Sequence, residues 1–232
     1  MGIAERKNRE KEERRQLILE KSKALILEHG VPSLSMQDIA DAAELSKATL
    51  YLYFESKEAL LVEILNESSD SFVAYVEERL NPDDTGLAAL RTLWASYLSL
   101  FGESSDIFIL TGIRNFIDAS FYMDVEVQIG VPGEKPEPND QRKPLQNMLD
   151  LIANIIERGV RDGTLAPTLE SGKIARTALL IATAIVDNVA RLPHKARDTR
   201  LIREELRDTF ELLLRGLAAD GCDKTLLTLP PE

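Results

Sequence analysis

One cysteine, Cys222, stands in 232 residues, so no internal disulfide can form and the stapled scaffold of a small secreted domain is excluded. Only two histidines occur, His29 and His194, far apart in the chain. His29 falls in the last turn of a helix and His194 follows a proline at a helix end, positions that suit capping better than metal binding or catalysis. No P-loop, GxGxxG, GxSxG or CxxC is present, and the Glu-x-x-His pairs of an all-helical di-iron enzyme are missing. Adjacent acids do occur, as Glu77-Glu78 and Glu204-Glu205, but neighbours on a helix face apart and read as solvated surface. No catalytic residue, metal ligand or cofactor is expected; the chain reads as a non-enzyme. The longest apolar run, residues 178–186, is broken by Thr183, closed by Asp187 and Asn188, and far too short to span a bilayer. The charged N-terminus lacks the apolar core of a signal peptide. With the lone thiol, these absences predict a cytoplasmic protein without membrane contact.

What is present describes an ordinary globular chain, 44% hydrophobic and 29% charged, long enough for a sizeable core in one domain or two. The net charge of −11 argues at first against nucleic acid. Its distribution removes the objection. Residues 1–57 hold ten Lys/Arg and ten Asp/Glu, so the whole acidic excess lies in the remaining chain.

The chain is organised around residues 34–61, LSMQDIADAAELSKATLYLYFESKEALL. Ser35 with Asp38 three residues on spells a capping box for a short helix whose inward face is Ile39, Ala40 and Ala43. Glu44 and Leu45 make a turn. Ser46 caps a second short helix with Leu50 and Phe54 turned inward, and Ser56 caps a longer one from Lys57. Two such short helices cannot bury much alone and must lean on the helices either side. Lys47, Ala48, Thr49, Tyr51 and Tyr53 are left pointing outward, a combination suited to a phosphate-lined groove.

At these residues the stretch resembles the TetR family of bacterial transcriptional regulators. The family pattern is roughly T-x-x-x-I-A, then A-G-V-S-x-G-T-L-Y-x-Y-F, then x-S-K-E-x-L. Ser35, Ile39-Ala40, Ala43, Leu45-Ser46, Thr49-Leu50-Tyr51, Tyr53-Phe54 and Ser56-Lys57-Glu58 stand in register, followed by Leu60-Leu61. The agreement is dense but covers only the N-terminal quarter. Glu44 stands where Gly is usual in the turn and Ala48 where Gly is common. The resemblance implies a homodimer on a pseudo-palindromic operator of double-stranded DNA, released by a small-molecule effector. It also implies that Ser35, Ser46, Tyr53 and Lys57 hold phosphates while Gln37, Lys47, Ala48, Thr49 and Tyr51 face base edges. Lys47 to guanine and Gln37 to adenine are the natural pairings.

Upstream, residues 5–15 carry six basic and four acidic side chains. They read either as a solvated, fraying helix start or as an arm on the DNA backbone or minor groove, with Arg6, Lys7 and Arg9 as its contacts. A helix to His29 follows, with Ile18, Ser22, Leu25 and Ile26 on one stripe, and ends at Gly30 and Pro32. The helix from Lys57 to about residue 80 would span roughly 35 Å.

More than half of the aromatic residues fall between Trp94 and Tyr122, on two apolar helices expected over residues 87–101 and 106–122. They form either a plain aromatic core or the wall of a small-molecule cavity. The cavity reading takes Trp94, Tyr97, Phe101, Phe116, Met148 and Ile152 as its apolar lining and Arg114 or Asn115 as its polar anchor. Residues 123–142, rich in Gly and Pro, form a loop whose role is open. Helices follow over residues 144–162, 171–192 and 200–219, and the last two, apolar on more than one face, are expected to pair across a dimer axis through Leu206 and Phe210. Residues 225–232, with two prolines, read as a loose tail.

The expected fold is all-α: a three-helix helix-turn-helix domain, residues 1–56, and a helical effector-binding and dimerisation domain, residues 57–232. The expected function is a DNA-binding transcriptional regulator, a repressor released by a small apolar or amphipathic ligand. The rivals are a ligand-independent DNA-binding regulator and a helical scaffold or enzyme that does not bind DNA.

Overall fold

The computed structural model describes residues 3–103, 145–190 and 199–230. The helix expected over residues 106–122 with Arg114, Asn115 and Phe116, the loop over 123–142, and His194 lie outside the described residues, as does the side chain of Phe101. Eight α-helices and one 3-10 helix are found among the described residues, with no strand. The chain divides into two compact units, the first running to Glu67 and the second starting at Ser68.

In the first unit, α1 (Ile3–His29) buries Ile18, Leu19, Ser22 and Ile26 on one stripe, and the Ser22 hydroxyl donates to the Ile18 carbonyl at 2.7 Å. Gly30 closes the helix in the left-handed conformation, φ 79°, donating its amide to Ile26. Helix α2 (Met36–Ala42) starts with the full capping box of Ser35 and Asp38. It ends with Glu44 at φ 56°, while the Leu45 amide reaches Ala40 at 2.8 Å and the Glu44 amide reaches Asp41 at 3.1 Å. That pair of bonds is a Schellman motif carrying Glu where Gly is favoured. Helix α3 (Lys47–Tyr51) is capped by Ser46, and α4 (Lys57–Glu77) by Ser56, whose hydroxyl accepts from the Ala59 amide. Ile39, Ala40, Leu50 and Phe54 close with Leu60 and Leu61 into a core with almost no exposed atoms.

In the second unit, α5 (Gly86–Glu103), α6 (Gln146–Asp162), α7 (Ser171–Ala190) and α8 (Thr199–Leu217) pack with α6 against α5 and α7, and α8 against the same two. Helices α5 and α6 touch backbone to backbone where Gly86 meets Gly159: a Cβ on Gly86 would lie 2.1 Å from the Gly159 nitrogen. Asp162 fastens this corner, accepting the Gly86 amide at 2.7 Å and the Thr164 amide at 3.0 Å. Burial pushes its carboxyl upward, but bonds from Thr164 and Gly86 and the nearby Arg158 charge outweigh burial and hold it below the usual range.

Two expectations are corrected here. Leu206 and Phe210 do not face outward to a partner; both are fully buried in their own unit. The Phe210 ring stacks on Trp94 with centroids 4.5 Å apart, and Tyr97 stands edge-on to it at 5.5 Å. The C-terminal segment is not loose either. After the 3-10 helix Lys224–Leu227, Leu229 is buried and its amide donates to Glu211. Arg91 holds the Thr228 carbonyl at 2.6 Å and Arg207 the Pro230 carbonyl at 2.9 Å. Two prolines leave a segment short of its own amide donors, but its carbonyls remain acceptors for arginines.

Candidate nucleic-acid interface

The α2–turn–α3 unit is fixed from inside and free outside. Leu50 and Phe54 anchor α3 and the turn after it in the core, while Lys47, Ala48 and Tyr51 are exposed and Thr49 is half-buried. Thr49 is tied to the cap: its amide donates to the Ser46 hydroxyl at 3.1 Å, and the two hydroxyls lie 2.8 Å apart. Leu52, not singled out from the sequence, is 79% exposed immediately after α3. Its position one residue past the last helical turn is the signal that pattern reading overlooked.

The other candidates carry obligations within the chain. The Ser35 hydroxyl and amide both bind Asp38, and these bonds, the hydroxyl's first, hold the Asp38 carboxyl below the usual range. Gln37 is exposed and donates to Asp41 at 2.8 Å, leaving its amide oxygen as an acceptor. Lys57 is half-buried and donates to the Val31 carbonyl at 2.9 Å; burial lowers its pKa. Tyr53, also half-buried, lines a groove with Asn8, Lys11, Glu12, Arg15 and Leu52. The nine candidate residues thus sit on or beside the α2–α3 unit, all at its surface or half-buried.

Residues 18–64 match the family model of bacterial regulatory proteins, tetR family. The helix-turn-helix of this chain is that of the TetR family. Its helices bear out the all-α helix-turn-helix architecture, and the family is one of transcription regulators, not of enzymes. An uncharacterised HTH-type transcriptional regulator of Bacillus subtilis, YfiR, is 22% identical over 210 residues, covering 89% of this chain and 94% of its own. The HTH-type transcriptional repressor KstR2 of Mycolicibacterium smegmatis is 24% identical over 165 residues, 70% of this chain and 73% of its own. Among solved structures, SmeT, the repressor of a multidrug efflux pump of Stenotrophomonas maltophilia, superposes with a TM-score of 0.62 at 19% identity. That superposition covers 94% of this chain and 96% of SmeT. The protein is a DNA-binding regulator built on this fold.

Of the residues taken for an effector cavity, Trp94, Tyr97, Met148 and Ile152 are all buried in the second unit. Trp94 and Tyr97 meet through Phe210, the residue that sequence reading had placed in a dimer interface. Met148 and Ile152 lie one turn apart on α6, which packs on α5. The Trp94 indole N–H is buried with no hydrogen-bond partner among the described residues. Among the same residues no helix is long and apolar enough to cross a membrane, and no group of His, Cys, Asp and Glu is placed to hold a metal.

Proposed function

We propose that this protein is a homodimeric repressor that binds a pseudo-palindromic operator and is released from it by a small apolar or amphipathic effector. Residues 1–56 bind DNA and residues 57–232 bind the effector and the second subunit. The observation that carries this reading is α3: a helix capped by Ser46, pinned by Leu50 and Phe54, and presenting Lys47, Ala48 and Tyr51 outward. A rigid, exposed helix of that size fits a major groove. Lys47, Ala48, Thr49, Tyr51 and Gln37 read base edges; Ser35, Ser46, Tyr53 and Lys57 bind phosphates. Leu52 adds an apolar contact suited to a thymine methyl.

The effector reading is supported by the indole of Trp94. A buried N–H without an acceptor costs about 1–3 kcal/mol, and a ligand bearing an acceptor would recover it. Dimerisation is supported by Leu180 on α7 and by Leu201 and Leu212 on α8, which stay 56%, 55% and 70% exposed beside the buried stripes of their helices. The chain acts by binding, not by catalysis.

Selection of sites from random duplex, with and without a metabolite extract, tests the operator and the effector together. Coupling of about 1–3 kcal/mol would weaken operator binding roughly 5–150-fold. Operator must then weaken effector binding by the same factor, read from Trp94 fluorescence. An effector curve that does not move with saturating operator refutes release by ligand.

A further inference from the structure

Three side chains hold the segment 223–230 against the second unit, and they stand beside its stacked rings. Arg91 on α5 donates to the Thr228 carbonyl at 2.6 Å, and Arg207 on α8 donates to the Pro230 carbonyl at 2.9 Å. Glu211 on α8 accepts the Leu229 amide at 3.0 Å, and the Leu229 side chain is buried. Arg91 lies three residues before Trp94 and Arg207 three before Phe210, so each arginine shares a helix face with one ring of the stacked pair. The segment therefore bridges α5 and α8 next to that stack.

It is held far less firmly than the helices around it. Helices α6 and α7, 17 and 20 residues long, each bury several side chains. The bridging segment has a 3-10 turn with no buried residue, and after that turn Leu229 is its one buried side chain among the described residues. Few buried contacts and solvent-exposed hydrogen bonds mark a piece that opens locally while the helices stay folded. The Trp94 indole N–H is buried without an acceptor among the described residues, so an opening that reaches it satisfies a polar group instead of stranding one.

We infer that residues 223–230 form a clasp that closes the α5–α8 edge of the aromatic core, and that its release admits small amphipathic molecules to Trp94. Arg91 and Leu229 are its two catches, one on the backbone and one in the core. The inference rests on the effector reading for the use of this gate; the opening itself is tested without an effector.

Acrylamide, a small neutral quencher, reports the opening at one place, because Trp94 is the only tryptophan. In the full chain, Arg91→Ala with Leu229→Ala should raise the open fraction by about 30-fold or more and steepen the quenching, with the helical circular dichroism of the wild type retained. Arg91→Lys keeps a donor for the Thr228 carbonyl and should quench as the wild type does. Val186→Ala, which removes buried volume on α7, controls for general loosening and should do the same. Unchanged quenching in the double variant, an equal rise in Arg91→Lys or Val186→Ala, or a double variant that loses its helices overturns the clasp. A metabolite extract that fails to release operator from the wild type refutes effector control instead, and leaves the clasp standing.

Discussion

Replacing Gly86 by Ala should destabilise the second unit severely, although Ala is the better helix former. The added Cβ would stand 2.1 Å from the Gly159 nitrogen and 2.2 Å from its Cα. Both are backbone atoms, so no rotamer change relieves the clash. Carbon needs about 3.5–4.0 Å, and one helix must therefore retreat by more than about 1 Å. The retreat opens the bond from the Gly86 amide to Asp162, 2.7 Å, and that from the Leu87 amide to Thr164, 3.2 Å. Overpacking costs about 1–3 kcal/mol, and a hydrogen bond to a charged group adds about 1.5–3 kcal/mol if it breaks. Partial relaxation makes about 2–4 kcal/mol the reasonable sum, a fall in melting temperature of roughly 5–15 °C for a chain of this length. Urea denaturation followed by circular dichroism and by Trp94 fluorescence measures it. Gly216→Ala is the control: exposed, in α8, with nothing within 4 Å of its added Cβ, it should stabilise by about 0.5–1 kcal/mol. A Gly86→Ala protein as stable as wild type would refute the close approach of α5 and α6.

Glu44→Gly should raise stability by about 1–2 kcal/mol, because the φ of 56° is strained for Glu and free for Gly; an unchanged melting temperature would contradict that backbone. Lys47→Ala should cost about 1–3 kcal/mol on the preferred site and relax choice at one base pair if Lys47 reads a base. A uniform loss on all sequences with a shallower salt slope would make it a phosphate contact instead, and unchanged binding would refute both roles. Leu180→Glu with Leu212→Glu should give folded monomers in sedimentation that lose specific binding, whereas Leu206→Glu with Phe210→Glu should unfold the second unit. The Asp162 carboxyl is depressed in the folded chain, so its stabilisation is complete above the unfolded value of about 3.9 and is lost as pH falls through the lower folded value. Asp162→Asn should flatten that acid limb of the stability curve and leave the neutral region lower.

The helix-turn-helix was legible because its information is local. Ser35 finds Asp38 and Ser46 finds Thr49 within three residues, and the turn reverses on Glu44 alone. Each bond forms between groups that the backbone itself brings together, so the sequence determined the caps, the turn, and which of Lys47, Leu50, Tyr51 and Phe54 face in or out. The sorting of the faces of α8 was not local. It carries Leu206 and Phe210 on one stripe and Leu201 and Leu212 on others, all equally apolar as letters. Only the stacking of Phe210 on Trp94, more than a hundred positions earlier, decides which stripe is core. The same holds for the C-terminal segment, where the Thr228 carbonyl is taken by Arg91, 137 residues away. Gly86 and Gly159 mean nothing until two helices cross at them. Hydrogen bonds between near neighbours are chosen by the sequence; which of several apolar or charged faces is used depends on surfaces that exist only once distant segments have packed.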